Sequence, residues 1–360
     1  MLILTLVGAM VLGQQAVASP GEPAIDPLIQ QEAGSASLAV DLDTGIVLQE
    51  QNADVQLQPA STSKLLTAIT AKRTLDINLP VTAVESDLVP EEFSRMGLEP
   101  GDVATVEQLL YGALVPSGGD AALALARTAG AELDPATEDP IARFVEEMNL
   151  VAASLGMEYS SFGNPVGQDD ENSWTTARDL VRAGEVVLDD PLLASIVRTP
   201  WASVVVDGPN GRELIIENSN QFVLFDDAIG IKTGTTDLAG QNLVAAFKLG
   251  DHTIVTVVLG SADRYADTTA MLDSIYANWS WLILGRDTSS LGATQELEAS
   301  GLWMPVGQTV VIHPDQIQNI GYQINLDRDA GPSEGTVIFT LDGNVLAELP
   351  VYPIGQPGDE

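Results

Sequence analysis

Hydrophobic and polar positions alternate with two different periods along this chain, and the change of period marks out its elements. Ser37 to Asp41 and Ile46 to Glu50 flank Asp43-Thr44-Gly45, which predicts a hairpin. Directly after it, Leu65, Ala68, Ile69 and Leu75 fall at helical spacing behind Pro59-Ala60-Ser61-Thr62-Ser63-Lys64. Between Val81 and Gly101 the pattern is irregular, with turns at Pro90, Gly97 and Pro100-Gly101. Thr105 and Gln108 form a capping box ahead of Val106, Leu109, Leu110, Ala113 and Leu114, a helical face that ends at Val115-Pro116. A polar loop, Ser117-Gly118-Gly119-Asp120, separates it from an Ala-rich helix predicted over Ala121 to Ala129. Ile141, Phe144, Val145, Met148, Ala152 and Leu155 repeat as a core helix. Thr176 and Asp179 open another, which ends near Asp190-Pro191 before a helical stretch from Leu192 to Val197.

The period then returns to two. Trp201 to Val206 and Glu213 to Ile216 predict a second hairpin, and Ile229 to Thr236 reads as a strand carrying one cation and a row of hydroxyls. Leu243 to Leu249 and Thr253 to Leu259 pair across Gly250-Asp251, and a helix over Tyr265 to Leu284 covers the sheet they form. The stretch 286–300 is rich in Ser, Thr and Gly and is taken as a linker. Beyond it, Tyr322, Ile324 and Leu326 alternate, as do Val337, Phe339 and Leu341, and Val345, Ala347 and Leu349. The expected architecture is α/β (α+β), an antiparallel sheet flanked by helices over 35–285 plus a small all-β sandwich over 301–354.

At the other end, the apolar run Leu2 to Leu12 is too short to span a bilayer and precedes Ala16-Val17-Ala18, a small-residue cleavage pattern. It reads as a secretory signal peptide over 1–18, truncated at its start because no Lys or Arg precedes the run, with a linker over 19–34. Export to the periplasm or the outer cell surface is expected, and no other stretch supplies a membrane anchor.

Composition narrows the chemistry. The 360 residues contain no cysteine and two histidines, so neither a thiolate nor a His-based metal centre is expected, and no cofactor. A formal charge of -36 with only four lysines argues against nucleic acid or an anionic membrane surface as a partner. Such an acid excess suits a protein kept soluble in concentrated salt; the plainer alternative is a solvated acidic face.

One helical turn separates Ser61 from Lys64, so hydroxyl and amine share a face. A serine becomes a nucleophile when a neighbouring base takes its proton, and a lysine shielded from water can be that base. Taken alone, Ser-x-x-Lys equally describes an N-cap serine beside a solvated lysine. Ser117 or Asp120 could likewise be N-caps of a helix-helix turn, and Thr233 and Thr235 mere strand formers.

Three stations lie in one order along the chain: Ser61-Thr62-Ser63-Lys64, Ser117-Gly118-Gly119 and Lys232-Thr233-Gly234. This resembles the penicillin-recognising serine enzymes, with their Ser-x-x-Lys, Ser-x-Asn and Lys-Thr-Gly motifs. Among them the chain is most similar to the D-alanyl-D-alanine carboxypeptidases of the low-molecular-mass penicillin-binding proteins. The flanks Leu98-Glu99-Pro100-Gly101-Asp102, Met148-Asn149, Leu155-Gly156-Met157, Phe162-Gly163-Asn164-Pro165 and Gly230 to Asp237 carry that likeness over about Ser35 to Leu284. It implies a β-lactamase/transpeptidase-like fold and a peptidoglycan stem peptide ending in D-Ala-D-Ala as substrate. It also implies β-lactams as covalent inhibitors.

By the same resemblance Ser61 attacks, Lys64 is its base with a pKa depressed by Lys232, and Ser117 passes a proton to the leaving D-Ala. Lys232, Thr233 and Thr235, with Gly234 between them, hold the terminal carboxylate. The oxyanion lies between the N–H groups of Ser61 and Thr235. Gly119 departs from the family's Asn, and water or Asp120 is the expected substitute. Arg264 is taken as a surface cation and Asp120 as an N-cap. A β-lactamase is disfavoured because no Glu-x-x-Leu-Asn segment occurs. A catalytically weak wall-binding protein and a D,D-endopeptidase stay open as alternatives.

Overall fold

A computed structural model of the protein describes residues 36–288, 292–326 and 334–355. The expected signal peptide (1–18) and first linker (19–34) lie outside the described residues. The chain opens with β1 (Ala36–Asp41) and β2 (Ile46–Gln51), a hairpin as expected, then a 3-10 turn Ala60–Ser63 running into α1 (Lys64–Thr74). A short ribbon of β3 (Pro80–Thr82) and β4 (Val103–Thr105) precedes α2 (Val106–Leu114), capped by Thr105 and Gln108. Four more helices follow: α3 (Gly119–Leu133), α4 (Pro140–Ser154), α5 (Ala177–Asp189) and α6 (Pro191–Arg198). The second hairpin is β5 (Trp201–Val206) with β6 (Arg212–Glu217), and β7 (Ala228–Thr236), β8 (Gly240–Leu249) and β9 (His252–Ser261) complete the sheet before α7 (Arg264–Asn278).

These strands form one antiparallel sheet in the order β2-β1-β9-β8-β7, so the first hairpin closes onto the last strands of the domain. Both faces of the sheet are buried. Val244, Ala246, Val255, Val257 and Leu259 share a core with α1 to α5, whereas Ile254 and Val258 pack on Met271 and Ile275 of α7, and Leu243 and Phe247 lie with Leu272. That explains the near-continuous apolar runs of β8 and β9, where alternate residues face different helical layers. At the centre of the helical layer, α1 is buried all round, with Leu65, Leu66, Ala68, Ile69 and Ala71 at 2% exposure or less. Its N-terminus meets the edge strand β7, and there the charged residues of interest gather. No described helix is long and apolar enough to cross a membrane.

α7 is shorter than its apolar pattern predicts. It ends at Asn278, and β10 (Ser280–Ile283) follows. Trp279 and Trp281 turn toward α7 and the main sheet while Leu282 and Leu284 turn toward a second core, a period of two that a run of bulky apolar residues conceals. Asp41 fastens this junction: its buried carboxylate accepts from Trp281 Nε1 at 2.7 Å and lies 2.9 Å from His252 Nδ1.

Within 286–300, α8 (Ala293–Ala299) buries Ala293 and Leu297 in the second core. That core is built by β11 (Leu302–Trp303), β12 (Thr309–Ile312), β13 (Ile320–Leu326), β14 (Gly335–Leu341) and β15 (Asn344–Pro353). One sheet runs β11-β15-β14-β13 and the other pairs β10 with β12. Val345 is exposed although the alternation placed it inside. A bulge between Phe339 and Thr340 shifts the β15 register, so Leu346 packs on the core instead.

Candidate active site

Ser61 lies in the 3-10 turn ahead of α1, and three anchors fix that turn. The buried side chain of Asn242 donates to Gln58 O (2.9 Å) and Pro59 O (3.1 Å) and accepts from Gly260 N, tying the turn to β8 and β9. Gly234 of β7 presses on it so closely that an added Cβ would lie 2.9 Å from Ser61 N. Gly167, at φ +79°, packs against Ala60, where any Cβ would collide with the Ala60 carbonyl. Two glycines therefore allow the edge strand and a loop to close on the serine from opposite sides.

Lys64 Nζ donates to Ser61 Oγ at 2.9 Å and to Val166 O at 2.7 Å. The second acceptor is presented by a turn in which Asn164 Oδ1 accepts from the N–H groups of Val166, Gly167 and Gln168. Pro165 O takes the Thr67 hydroxyl at 2.6 Å, and Asn149 exchanges two bonds with the Phe162 backbone. The Phe-Gly-Asn-Pro segment thus holds a carbonyl against a buried amine. Burial lowers the Lys64 pKa to about 7, with the Asp120 carboxylate pulling the other way.

Lys232 is also fully buried, and Nζ donates to Thr233 O at 3.0 Å. No described carboxylate forms an ion pair with it, and its pKa is lowered well below the ordinary value, by burial first and then by the charges of Lys64 and Arg264. The depression of Lys64 expected from Lys232 therefore arises mainly from loss of water. Charge repulsion between the two lysines bears on Lys232.

Ser117 is buried in the loop between α2 and α3 at φ +65°, and its Oγ has no hydrogen-bond partner among the described residues. A polar group held in an unfavoured backbone region and left unpaired is a pattern concentrated at functional sites. Thr233, Gly234 and Thr235 follow Lys232 on the sheet edge. Thr233 Oγ1 is 2.7 Å from Ser219 Oγ, and Thr235, exposed, is bonded through its hydroxyl to Arg264 Nη2.

Three expectations need correction. Arg264 is no surface cation: it is 8% exposed, and Nη1 donates to Gly234 O and Asn242 O, both at 2.9 Å. It backs the Lys-Thr-Gly strand from behind, and nothing in its sequence surroundings beyond its place after the last strand signalled this. Asp120 is not the N-cap of α3, a place taken by Gly118. Its carboxylate is buried and accepts from the N–H groups of Met96, Gly97 and Leu98 at 2.8 to 3.0 Å. Committed to that loop, Asp120 does not stand in for the missing Asn amide. At Gly119 itself, an added Cβ would lie 2.9 Å from Val89 Cγ1, so a valine methyl occupies the space beside this position. Asn242 and Ser219 were not singled out in the sequence; Asn164 entered only within Phe162-Gly163-Asn164-Pro165, a stretch that carries the resemblance without a role of its own.

Residues 20–263 match the family model described as D-alanyl-D-alanine carboxypeptidase. A D-alanyl-D-alanine carboxypeptidase of Bacillus subtilis is 27% identical over 90% of this chain and 85% of its own length. A D-alanyl-D-alanine endopeptidase of Pseudomonas aeruginosa is 31% identical over 86% of this chain and 97% of its own length. The crystal structure of a Streptomyces DD-transpeptidase superposes with a TM-score of 0.63 at 29% identity, covering 68% of this chain and 97% of the other. With a buried lysine bonded to a serine one turn away and a Lys-Thr-Gly strand closing on that serine's backbone, this chain belongs to the D-alanyl-D-alanine carboxypeptidase family.

Proposed function

We propose that this protein is a serine D-Ala-D-Ala carboxypeptidase that removes the terminal D-alanine from peptidoglycan stem peptides outside the cytoplasmic membrane. The observation that carries the reading is the 2.9 Å bond between Lys64 Nζ and Ser61 Oγ, made by an amine whose burial brings its pKa to about 7. At neutral pH a large fraction of that amine is free to accept the serine proton as Oγ attacks the penultimate carbonyl. Val166 O fixes Nζ in place, so no reorganisation is needed to align it.

The oxyanion of the tetrahedral intermediate lies between the N–H groups of Ser61 and Thr235. Lys232, Thr233 and Thr235 hold the substrate carboxylate, and Gly234 lets their strand approach the serine. Ser117, with a hydroxyl that no described protein group bonds, passes the proton to the leaving D-alanine. Water then releases the shortened peptide from Ser61. β-Lactams, which also present a carboxylate beside a reactive carbonyl, acylate the same serine and act as covalent inhibitors.

Mass spectrometry of a pentapeptide ending in D-Ala-D-Ala tests the reading. Loss of one alanine, abolished in Ser61→Ala, is expected, and an unchanged peptide overturns it. The relative named an endopeptidase supports a second reading, cleavage of cross-linked stem peptides by the same residues. Supplying a cross-linked dimer in the same assay separates the two.

A further inference from the structure

We propose that Ser219 is a positioning residue for substrate-carboxylate recognition, acting through Thr233; the inference rests on the carboxypeptidase reading. Ser219 Oγ lies 2.7 Å from Thr233 Oγ1, and either hydroxyl could donate. A Thr233 hydroxyl that gives its proton to a substrate carboxylate has its oxygen left to accept. The arrangement that serves binding is a relay: Ser219 Oγ–H to Thr233 Oγ1, and Thr233 Oγ1–H to the carboxylate. Each bond polarises the next, so the second donor is stronger and aimed in one direction.

The backbone around Ser219 is built to hold that hydroxyl still. Ser219 N donates to Val115 O at 2.9 Å, two residues before Ser117, and Ser219 O accepts from Tyr265 Oη at 3.1 Å, next to Arg264. On one side Asn218 is clamped to the end of α6, donating from Nδ2 to Val197 O and Thr199 O and from its backbone to Pro200 O. On the other, Asn220 is buried, its N–H bonded to Asn218 Oδ1 and its own Oδ1 accepting from Phe222 N. One residue thus joins the Ser117 loop, the Lys-Thr-Gly strand and the start of α7, with its side chain as the only group of the three contacts aimed at the site.

The test compares wild type, Ser219→Ala and Ser219→Thr on two peptides, one ending in D-Ala-D-Ala and one in which the terminal carboxylate is amidated. For the free-acid peptide Ser219→Ala is expected to lower kcat/KM about fivefold, mainly through KM, the size of one net hydrogen bond. For the amidated peptide the same variant is expected to match wild type, and Ser219→Thr, which keeps a hydroxyl, to restore the free-acid rate. Equal losses on both peptides, or no loss on either, overturn the inference while leaving the carboxypeptidase reading intact. A wild-type protein inert toward the free-acid peptide overturns both.

Discussion

Acylation of Ser61 should titrate with Lys64 near neutrality, because the proton acceptor is the free amine. With its pKa lowered to about 7, the amine is about one-tenth neutral at pH 6, about half at pH 7 and about nine-tenths at pH 8. The second-order rate of acylation by a penicillin should therefore rise about fivefold from pH 6 to pH 7, less than twofold from pH 7 to pH 8, and then level off. A lysine at its ordinary value near 10.5 behaves differently: its neutral fraction grows about tenfold per pH unit to beyond pH 9. Stopped-flow measurement with a fluorescent penicillin from about pH 5.5 to pH 9.5 separates the two, because the plateau either appears near pH 8 or does not. A log-rate that keeps climbing with unit slope past pH 9 would refute the claim that burial has freed the amine.

The same burial costs stability. The folded pKa of Lys64 lies below its unfolded value of 10.5, so the penalty is full below pH 7 and fades as pH rises toward 10.5. The 3.5-unit gap corresponds to about 5 kcal/mol at most, offset by roughly 2 kcal/mol if the Ser61 and Val166 acceptors are left unpaired. Lys64→Met should thus raise stability by about 3 kcal/mol at most at pH 6 in denaturant unfolding while abolishing acylation; an inactive variant that is destabilised would count against the account. Gly119→Asn should destabilise by about 1–3 kcal/mol because its Cβ meets Val89 Cγ1, and adding Val89→Ala should recover most of that loss, as read by Tm. If the charge of -36 is an adaptation to salt, Tm should rise steadily between about 0.1 M and about 2 M KCl, and a flat trace removes that reading.

Helices such as α2 and α5 could be read from the sequence because each carries its own punctuation. Thr105 with Gln108 and Thr176 with Asp179 cap where spacing placed them. The sheet hairpins were legible for the same reason, their turns lying at Asp43-Thr44-Gly45 and Gly250-Asp251. What escaped is long-range. Trp279 to Leu284 is apolar enough to prolong a helix, and only pairing with β12 makes it a strand. Leu346 enters the core through a bulge that no local pattern announces.

The site divides in the same way. Ser61 and Lys64 are one turn apart, so their meeting is local. Asn242, 181 residues beyond Ser61, holds the Ser61 turn and Arg264, 203 residues beyond it, backs the Lys-Thr-Gly strand, both through backbone carbonyls that any sequence supplies, while Ser219 reaches Thr233 hydroxyl to hydroxyl. Asp120 shows the converse: its place at the head of a helix suggests a cap, yet three N–H groups of a distant loop claim it.

Peptide mapping after brief exposure to a penicillin reaches the central claim most directly, that a buried amine makes one serine the nucleophile. The account predicts a single covalent adduct on the peptide containing Ser61, lost in both Ser61→Ala and Lys64→Met. An adduct on another residue, or one formed at the wild-type rate without Lys64, would contradict it.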